Sequence, residues 1–404
     1  MTSAPSASTG AVAGVTDEET RLASKKKGLP ELRVAIDEID RRLLDLVTKR
    51  AEIAKAVGEA KSVGERGILD AGREKQILAA IRKANRGPLR DDSVEAIFRE
   101  IISACRAVQR PTTVAFFGPE GTYTHEAAIA QFGSSAELVA CDSIPEVFAA
   151  VETDRATFGI VPVENTTEGA VTPTLDSLAE TTAVILAERI LKIDHCLMAK
   201  DADPKKIRRI ASHPQPLAQC KRYLAEHFPG VELLPTASTV AAAKLAAGER
   251  GTAAIGSRVA QHLYGLELAA RSIQDNAANV TRFLVIGPDQ KTRPSSHDRT
   301  SLVVTVKDQV GILERIIRQF ARNKVNLSMI ESRPLVGRSW EYRFFVDVTG
   351  HASSEPVAKA LQSLERIALS VRVLGSYPIA TWSRELASGE TSSSRKEREA
   401  RRSD

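Results

Sequence analysis

Three cations stand out along one amphipathic stretch: Arg33, Arg50 and Lys61. Eleven residues separate Arg50 from Lys61, about 16 Å of helical rise, with the two side chains within about 20° of one face. Two long side chains so placed can converge on the ends of one small dianion, a guanidinium on a carboxylate and an ammonium on a growing oxyanion. Arg33 is about 25 Å from Arg50 along the same helix, so it can share that ligand only from a second protomer. Arginine and lysine more often decorate a solvated helix face, and spacing alone leaves both readings open. A second kind of chemistry is suggested further along, where polar clusters fall at the ends of apolar runs: 118–125 (GPEGTYTH), 162–169 (PVENTTEG), 212–215 (SHPQ), 237–239 (AST) and 279–283 (NVTRF). Any one could be helix capping; in an open α/β sheet, clusters of this kind converge on one crevice. The 118–125 turn also leaves free N–H groups aimed at an anion, although a tight structural turn explains it equally well.

The elements that must position these residues follow from periodicity. Leu32, Ile36, Ile39, Leu43, Leu46, Ile53 and Val57 mark one long amphipathic helix from Glu31 to about Lys61. Asp70 can cap a second helix that stops near Gly87-Pro88, and a third runs from about Asp92 to Arg110 before Pro111. Short apolar strands then alternate with helices up to about Ile286, at 114–117, 160–163, 207–210, 231–234 and 253–255. Such alternation predicts α/β layers. Ser143 opens one of these helices with a capping box to Glu146. After a polar linker at 288–299, strand, helix, strand, strand, helix and strand follow at 301–306, 311–323, 327–334, 340–348, 355–366 and 371–374, the order of a ferredoxin-like sandwich.

A chain of 404 residues exceeds one ordinary core. Its 26% charged and 43% hydrophobic residues are those of a globular protein, and its net charge of +5 with 4% aromatics argues against nucleic acid. The cysteines, Cys105, Cys141, Cys196 and Cys220, are scattered, which fits reduced thiols rather than disulfides or zinc. No HExxH or Walker-type loop is present, so no metal or cofactor is implied. No apolar run suits a signal peptide or a membrane span. Tails at 1–28 and 384–404 are too polar to fold and are expected to be disordered.

Residues 31–110 resemble the all-helical class of chorismate mutase, on Leu32-Arg33, Arg50, Val57-Gly58-x-x-Lys61, Asp70-x-x-Arg73-Glu74 and Gln109. That resemblance implies that Arg50, and Arg33 of the other protomer, bind the two carboxylates of chorismate. Lys61 and Gln109 would bond the ether oxygen of the breaking C–O bond, while Asp70 and Glu74 would orient the hydroxyl and the arginines, Arg73 completing the set. Cys105 stands where many members carry Ser. A [3,3] rearrangement needs neither nucleophile nor proton transfer, only a folded substrate and stabilised charge on oxygen, which suits these residue types.

Residues 112–286 resemble prephenate dehydratase, most specifically through Thr281-Arg282-Phe283. The resemblance implies two lobes of a periplasmic-binding type with prephenate in the cleft. Thr281 would donate to the departing hydroxyl, in a chain with Glu164, His213 or water. Asn165, Ser212, Gln215 and Ser238 would position carboxylate and keto oxygens, Arg282 would supply positive charge, and Thr166, Thr239, Asn279 and Phe283 would line the site. His125 and His213 could each touch substrate or merely cap a helix. The last block resembles an ACT regulatory domain on 307–313 and 326–334, which implies phenylalanine binding by Gly311, Ile312, Leu313 and Glu331-Ser332-Arg333-Pro334. Ile312 replaces the usual Ala and Val310 the usual Pro, and a plain dimerisation module is the other reading.

The expectation is therefore a multidomain, cytoplasmic, homodimeric or larger enzyme. An all-α chorismate mutase domain would occupy 29–110, a two-lobed α/β dehydratase domain 112–287 and an α+β ACT domain 299–380. The chain would convert chorismate to prephenate and then to phenylpyruvate under phenylalanine feedback. A single live activity, or a non-enzymatic amino-acid sensor, are the alternatives; a sensor has no need of the spaced cations.

Overall fold

The computed structural model describes residues 28–60, 69–290, 292–335 and 341–380. Lys61 and the expected tails, Gly28 apart, lie outside them. The first unit is helical: α1 (Leu29–Ala60), α2 (Ala71–Ala84) and α3 (Asp91–Gln109). Asp70 caps α2 by accepting from the Arg73 N–H at 2.9 Å. Arg82 ties α2 to α3 through Asp92 at 2.9 Å and Glu95 at 2.7 Å.

Helix α1, 32 residues long, has no buried residue, and Ile36, Ile39, Leu43, Leu46, Ile53 and Val57 all lie exposed on it. Its last turn meets α3 at Gly58, where an added Cβ would come within 3.1 Å of Gln109 Cβ. Helix α3, by contrast, rests on the unit that follows. Arg99 donates to the Ala130 carbonyl, Glu100 accepts from Ser134, and the Arg106 guanidinium lies 5.7 Å from the centre of the Phe132 ring.

That second unit has two lobes. In the first, β1 (Thr113–Phe117), β2 (Glu137–Cys141) and β3 (Phe158–Asn165) run parallel, and β11 (Val280–Gly287) inserts antiparallel between β3 and β5 (Val184–Lys192). A short β4 (Gly169–Ala170) pairs with β3. Helices α4 (Tyr123–Phe132), α5 (Ile144–Glu152) and α6 (Thr172–Glu180) belong to this lobe. The second lobe orders its strands β10-β6-β9-β7-β8, from β6 (Cys196–Ala199), β7 (Arg209–Ser212), β8 (Glu232–Pro235), β9 (Thr252–Gly256) and β10 (Glu267–Ala270). Helices α7 (Pro214–Gln219), α8 (Lys221–His227), α9 (Thr239–Gly248) and α10 (Arg258–Leu263) accompany them.

The chain crosses between lobes twice, at 193–195 and 271–279. The crossings bond each other, Ile193 N–H to Asn279 O at 2.9 Å and Ile273 N–H to His195 O at 3.0 Å. The expected strand at 207–210 starts instead at Arg209, because a 3-10 turn at Pro204–Lys206 takes Ile207 as its cap. The charged pair Glu188-Arg189 disguised β5 in the sequence.

The third unit is a sandwich of β12 (Asp298–Lys307), α11 (Ile312–Arg322), β13 (Leu327–Pro334), β14 (Glu341–Thr349), α12 (Glu355–Leu364) and β15 (Ser370–Pro378), its antiparallel sheet ordered β13-β14-β12-β15. Alternation along the strands splits its core. Leu302, Val304 and Val346 face its own helices, whereas Val303, Phe345 and Tyr377 join Ile185 and Leu284 of the first lobe. The approach is close: a Cβ on Gly375 would lie 2.1 Å from the Ile185 carbonyl oxygen. Gly375→Ala should therefore force β15 and β5 apart and cost about 1–3 kcal/mol. A thermal melt matching that of the native chain would show that the seam yields freely.

Candidate active site

A cavity of about 450 Å³ opens between the two lobes. Strand ends and helix starts line it: Tyr123 and Thr124 opening α4, Asn165 ending β3, His213 and Gln215 at α7, Ser238 and Thr239 at α9, then Asn279, Thr281 and Phe283. Helices α4, α7 and α9 begin here, capped by Thr122, His213 and Ser238, whose side chains accept from His125, Gln215 and Ala241 N–H groups. Among the described lining residues there is no lysine or arginine, and Glu168 is the one carboxylate. An anion here is met by helix N-termini, hydroxyls and amides rather than by formal charge.

Strand β11 presents Thr281 and Phe283 to the cavity. The Thr281 Oγ1 accepts from Asn165 Nδ2 at 2.8 Å, so its own proton is not used in that bond. Asn165 also donates to Asn279 Oδ1 at 2.9 Å, and its own Oδ1 accepts from the Thr167 and Glu168 N–H groups at 2.8 and 3.1 Å. Asn279 donates to Gln219 Oε1 at 3.2 Å, Gln219 bonds His195 Nε2 at 2.7 Å, and His195 Nδ1 meets the Tyr123 hydroxyl at 2.6 Å.

Several expected residues are elsewhere. Arg282 lies on the opposite face of β11 from Thr281, as strand alternation requires, and supplies no charge to the cavity. It is buried in the seam with the third unit, donating to Glu188 at 2.8 Å, Asp347 at 2.6 Å and Tyr377 at 2.9 Å. Arg299 also reaches Glu188 at 2.8 Å, and Ser301 bonds Asp347 at 2.5 Å. Burial alone would make Arg282 easier to deprotonate, but Tyr377, Asp347 and Glu188 more than offset it and hold the guanidinium charged. Glu164 sits 3.7 Å from Arg282 and does not line the cavity. Ser212 is fully buried, its hydroxyl given to the Ile255 carbonyl at 2.8 Å. Thr166 braces the chain at Ala278 and Val280. His125 accepts from Gly121 N–H and stacks on Phe116, a structural role.

Tyr123, His195 and Gln219 were not anticipated. Gln219 stands one helical turn after Gln215 and was legible on that ground. Tyr123 belonged to the 118–125 cluster but carried no separate signal, and His195 on a crossing carried none.

In the helical unit Arg33 is exposed and Arg50 half-buried on α1, and Gln109 is half-buried against Gly58. Asp70 is spent on its cap, with Arg73 exposed beside it, and Glu74 pairs with Arg106. Cys105 is buried. In the third unit Gly311 takes a left-handed φ of +80° before α11, Ile312 is buried, and Val310 and Leu313 are exposed. Glu331, Ser332, Arg333 and Pro334 close β13, where Arg333 bonds Asp176 of α6 at 3.1 Å. Removing one partner of the buried cluster strands the rest, so Asp347→Ala should cost about 3–5 kcal/mol in chemical denaturation. Native-like stability would mean that water reaches Arg282.

A helical unit bearing spaced cations, a cleft between α/β lobes and an appended sandwich together define an enzyme with an attached regulatory domain. Family models match in that order: chorismate mutase type II over 32–110, prephenate dehydratase over 114–291 and the ACT domain over 300–366. A bifunctional chorismate mutase/prephenate dehydratase of Aquifex aeolicus is 40% identical over 356 residues, covering 87% of this chain and 98% of that protein. The Neisseria gonorrhoeae enzyme of the same description is 41% identical, covering 86% and 96%. Among solved structures, prephenate dehydratase from Arthrobacter aurescens in complex with L-Phe is 33% identical with a TM-score of 0.62, covering 72% of this chain and 100% of that one. GqqA, described as a novel type of quorum quenching acylase, reaches the same TM-score at 29% identity, covering 66% and 98%. The chain belongs to the bifunctional chorismate mutase/prephenate dehydratase family.

Proposed function

We propose that prephenate binds between the lobes and that Thr281 assists its ring hydroxyl to leave. The carbon–carbon bond to the ring carboxylate breaks, its electrons enter the ring, and hydroxide departs from the opposite carbon as the ring becomes aromatic. Carbon dioxide, hydroxide and phenylpyruvate account for both charges of the substrate. The protein's task is then to ease the departure of oxygen, not to create a nucleophile. The observation that carries this reading is the bond from Asn165 to Thr281 Oγ1, which leaves the threonine proton for the leaving oxygen. Helix N-termini at Tyr123 and Thr239, with Gln215 and Ser238, suit the carboxylates and keto oxygen.

Chorismate rearrangement we assign to the helical unit, through Arg50, Lys61 and Gln109 of one protomer and Arg33 of a second. The bare apolar stripe of α1 supports pairing with another copy. A helix about 48 Å long gains its stability from packing that stripe, and the described residues of one chain leave it exposed. Phenylalanine is the effector we assign to 311–313 and 331–334, in keeping with the L-Phe complex of the Arthrobacter relative. The work of both sites fits a cytoplasmic enzyme, and no helix of the described residues is long and apolar enough to cross a membrane.

Separate assays of chorismate loss and phenylpyruvate formation test the division of labour. Lys61→Ala should abolish the first while sparing the second, and Thr281→Ala should do the reverse; joint loss in either variant would sink the assignment. Dilution tests the pairing: specific mutase activity should fall as protomers separate, and a monomer at full rate would refute the shared site.

A further inference from the structure

The hydrogen-bond chain behind Thr281 can be oriented atom by atom from its fixed end. Backbone N–H groups of Thr167 and Glu168 hold Asn165 Oδ1, so Asn165 Nδ2 must face Asn279 Oδ1 and Thr281. Asn279 Nδ2 is thereby turned on Gln219, which must answer with its carbonyl oxygen. Reversing Gln219 would set amide N–H against amide N–H, and would also turn its oxygen on the Glu168 carboxylate, 3.3 Å from Gln219 Nε2. With Gln219 Oε1 also at His195 Nε2, that ring nitrogen carries the proton, and Nδ1 takes the Tyr123 hydroxyl proton, 2.6 Å away against 3.3 Å for the competing Asp194 carbonyl. Burial pushes the His195 pKa below its ordinary value, even against its bond to Gln219 and the charge of Asp194, which agrees with a neutral ring.

The location adds to this. His195 and Asn279 lie on the two crossings between lobes, and Gln219, ending α7, is the sole member of the chain from the second lobe. The pair therefore fixes a second-lobe side chain relative to Thr281 on the first.

We propose that His195 is a positioning residue for the dehydratase reaction: as a neutral Nε2–H imidazole buttressed by Tyr123, it holds the Gln219 oxygen back so that an amide N–H of Gln219 faces the cleft and binds an oxygen of prephenate. One Gln219 amide hydrogen serves Glu168 and the other is left for the cavity, which Gln219 lines. This inference rests on the reading that prephenate occupies the cleft, and its test separates the two.

Steady-state dehydratase kinetics would be run on the full chain carrying His195→Leu, His195→Gln or Thr281→Ala, with mutase rate and melting temperature as references. His195→Leu should raise KM for prephenate about tenfold with kcat nearly unchanged, the loss of one hydrogen bond to a charged ligand. His195→Gln, whose amide can replace the Nε2–H donor, should return KM to within about threefold of native. Unchanged KM in His195→Leu, a fall in kcat instead, failure of the glutamine to rescue, or parallel loss of mutase rate and melting temperature would each overturn the proposal. Thr281→Ala reports on the parent reading alone: it should lower kcat and keep KM, and an unaltered kcat would remove Thr281 from the departure of the ring hydroxyl whatever His195 does.

Discussion

The buried guanidinium of Arg282 is the constraint on which the arrangement depends. It stands on the strand that carries Thr281, yet its partners come from β5 of the same lobe and from β14 and β15 of the sandwich. An unpaired charge at that depth is far costlier than any single contact in the seam, so the strand, the lobe and the sandwich keep one relation or lose the whole cluster. Such a group adds less to net stability than its number of bonds suggests, because each ion first gave up its water. What it contributes is definition: every partner must be in place for any of them to be satisfied. Thr281 inherits that definition as the next residue along a strand.

The cleft itself is built on the opposite electrostatic principle. A doubly negative ligand would ordinarily be met with arginine and lysine, and the helical unit offers them. The lobes instead offer the starts of three helices and a row of hydroxyls and amides. Partial charges spread over many N–H groups can meet an anion with no fixed cation among the described lining residues. Side-chain amides have a further property that ions lack: each has a donor end and an acceptor end, so one backbone-fixed asparagine dictates the direction of its neighbours.

Much of this was legible in residue order. The Asp70 cap, the three helices, the alternating middle and the sandwich follow from periodicity and from turn residues whose physics is local. Residues at the ends of strands, Asn165, Gln215, Ser238 and Thr281 among them, do gather at one cavity. Direction was the failure. Arg282 reads as a cation beside the key threonine, but a strand sends neighbours to opposite faces, and which face is covered depends on a unit folded from residues beyond 298. Ser212 and Glu164 likewise lie outside the cavity lining, one hydroxyl given to a carbonyl and one carboxylate 3.7 Å from Arg282. His195 was invisible because its value comes from where two crossings meet, a tertiary fact with no local pattern.

The contacts between the first and last parts of the chain bear on how it is made. Lys75 donates to the Ile379 carbonyl across 304 residues, and Gln290 donates to the Leu69 carbonyl. Translation at about 5–20 residues per second delivers Ile379 on the order of 15 s or more after Lys75. Helix formation takes only about a microsecond, so α1 to α3 are synthesised and free to fold long before the strands that brace them leave the ribosome. The helical unit is thus fastened only when the end of the chain arrives, after both lobes have been synthesised.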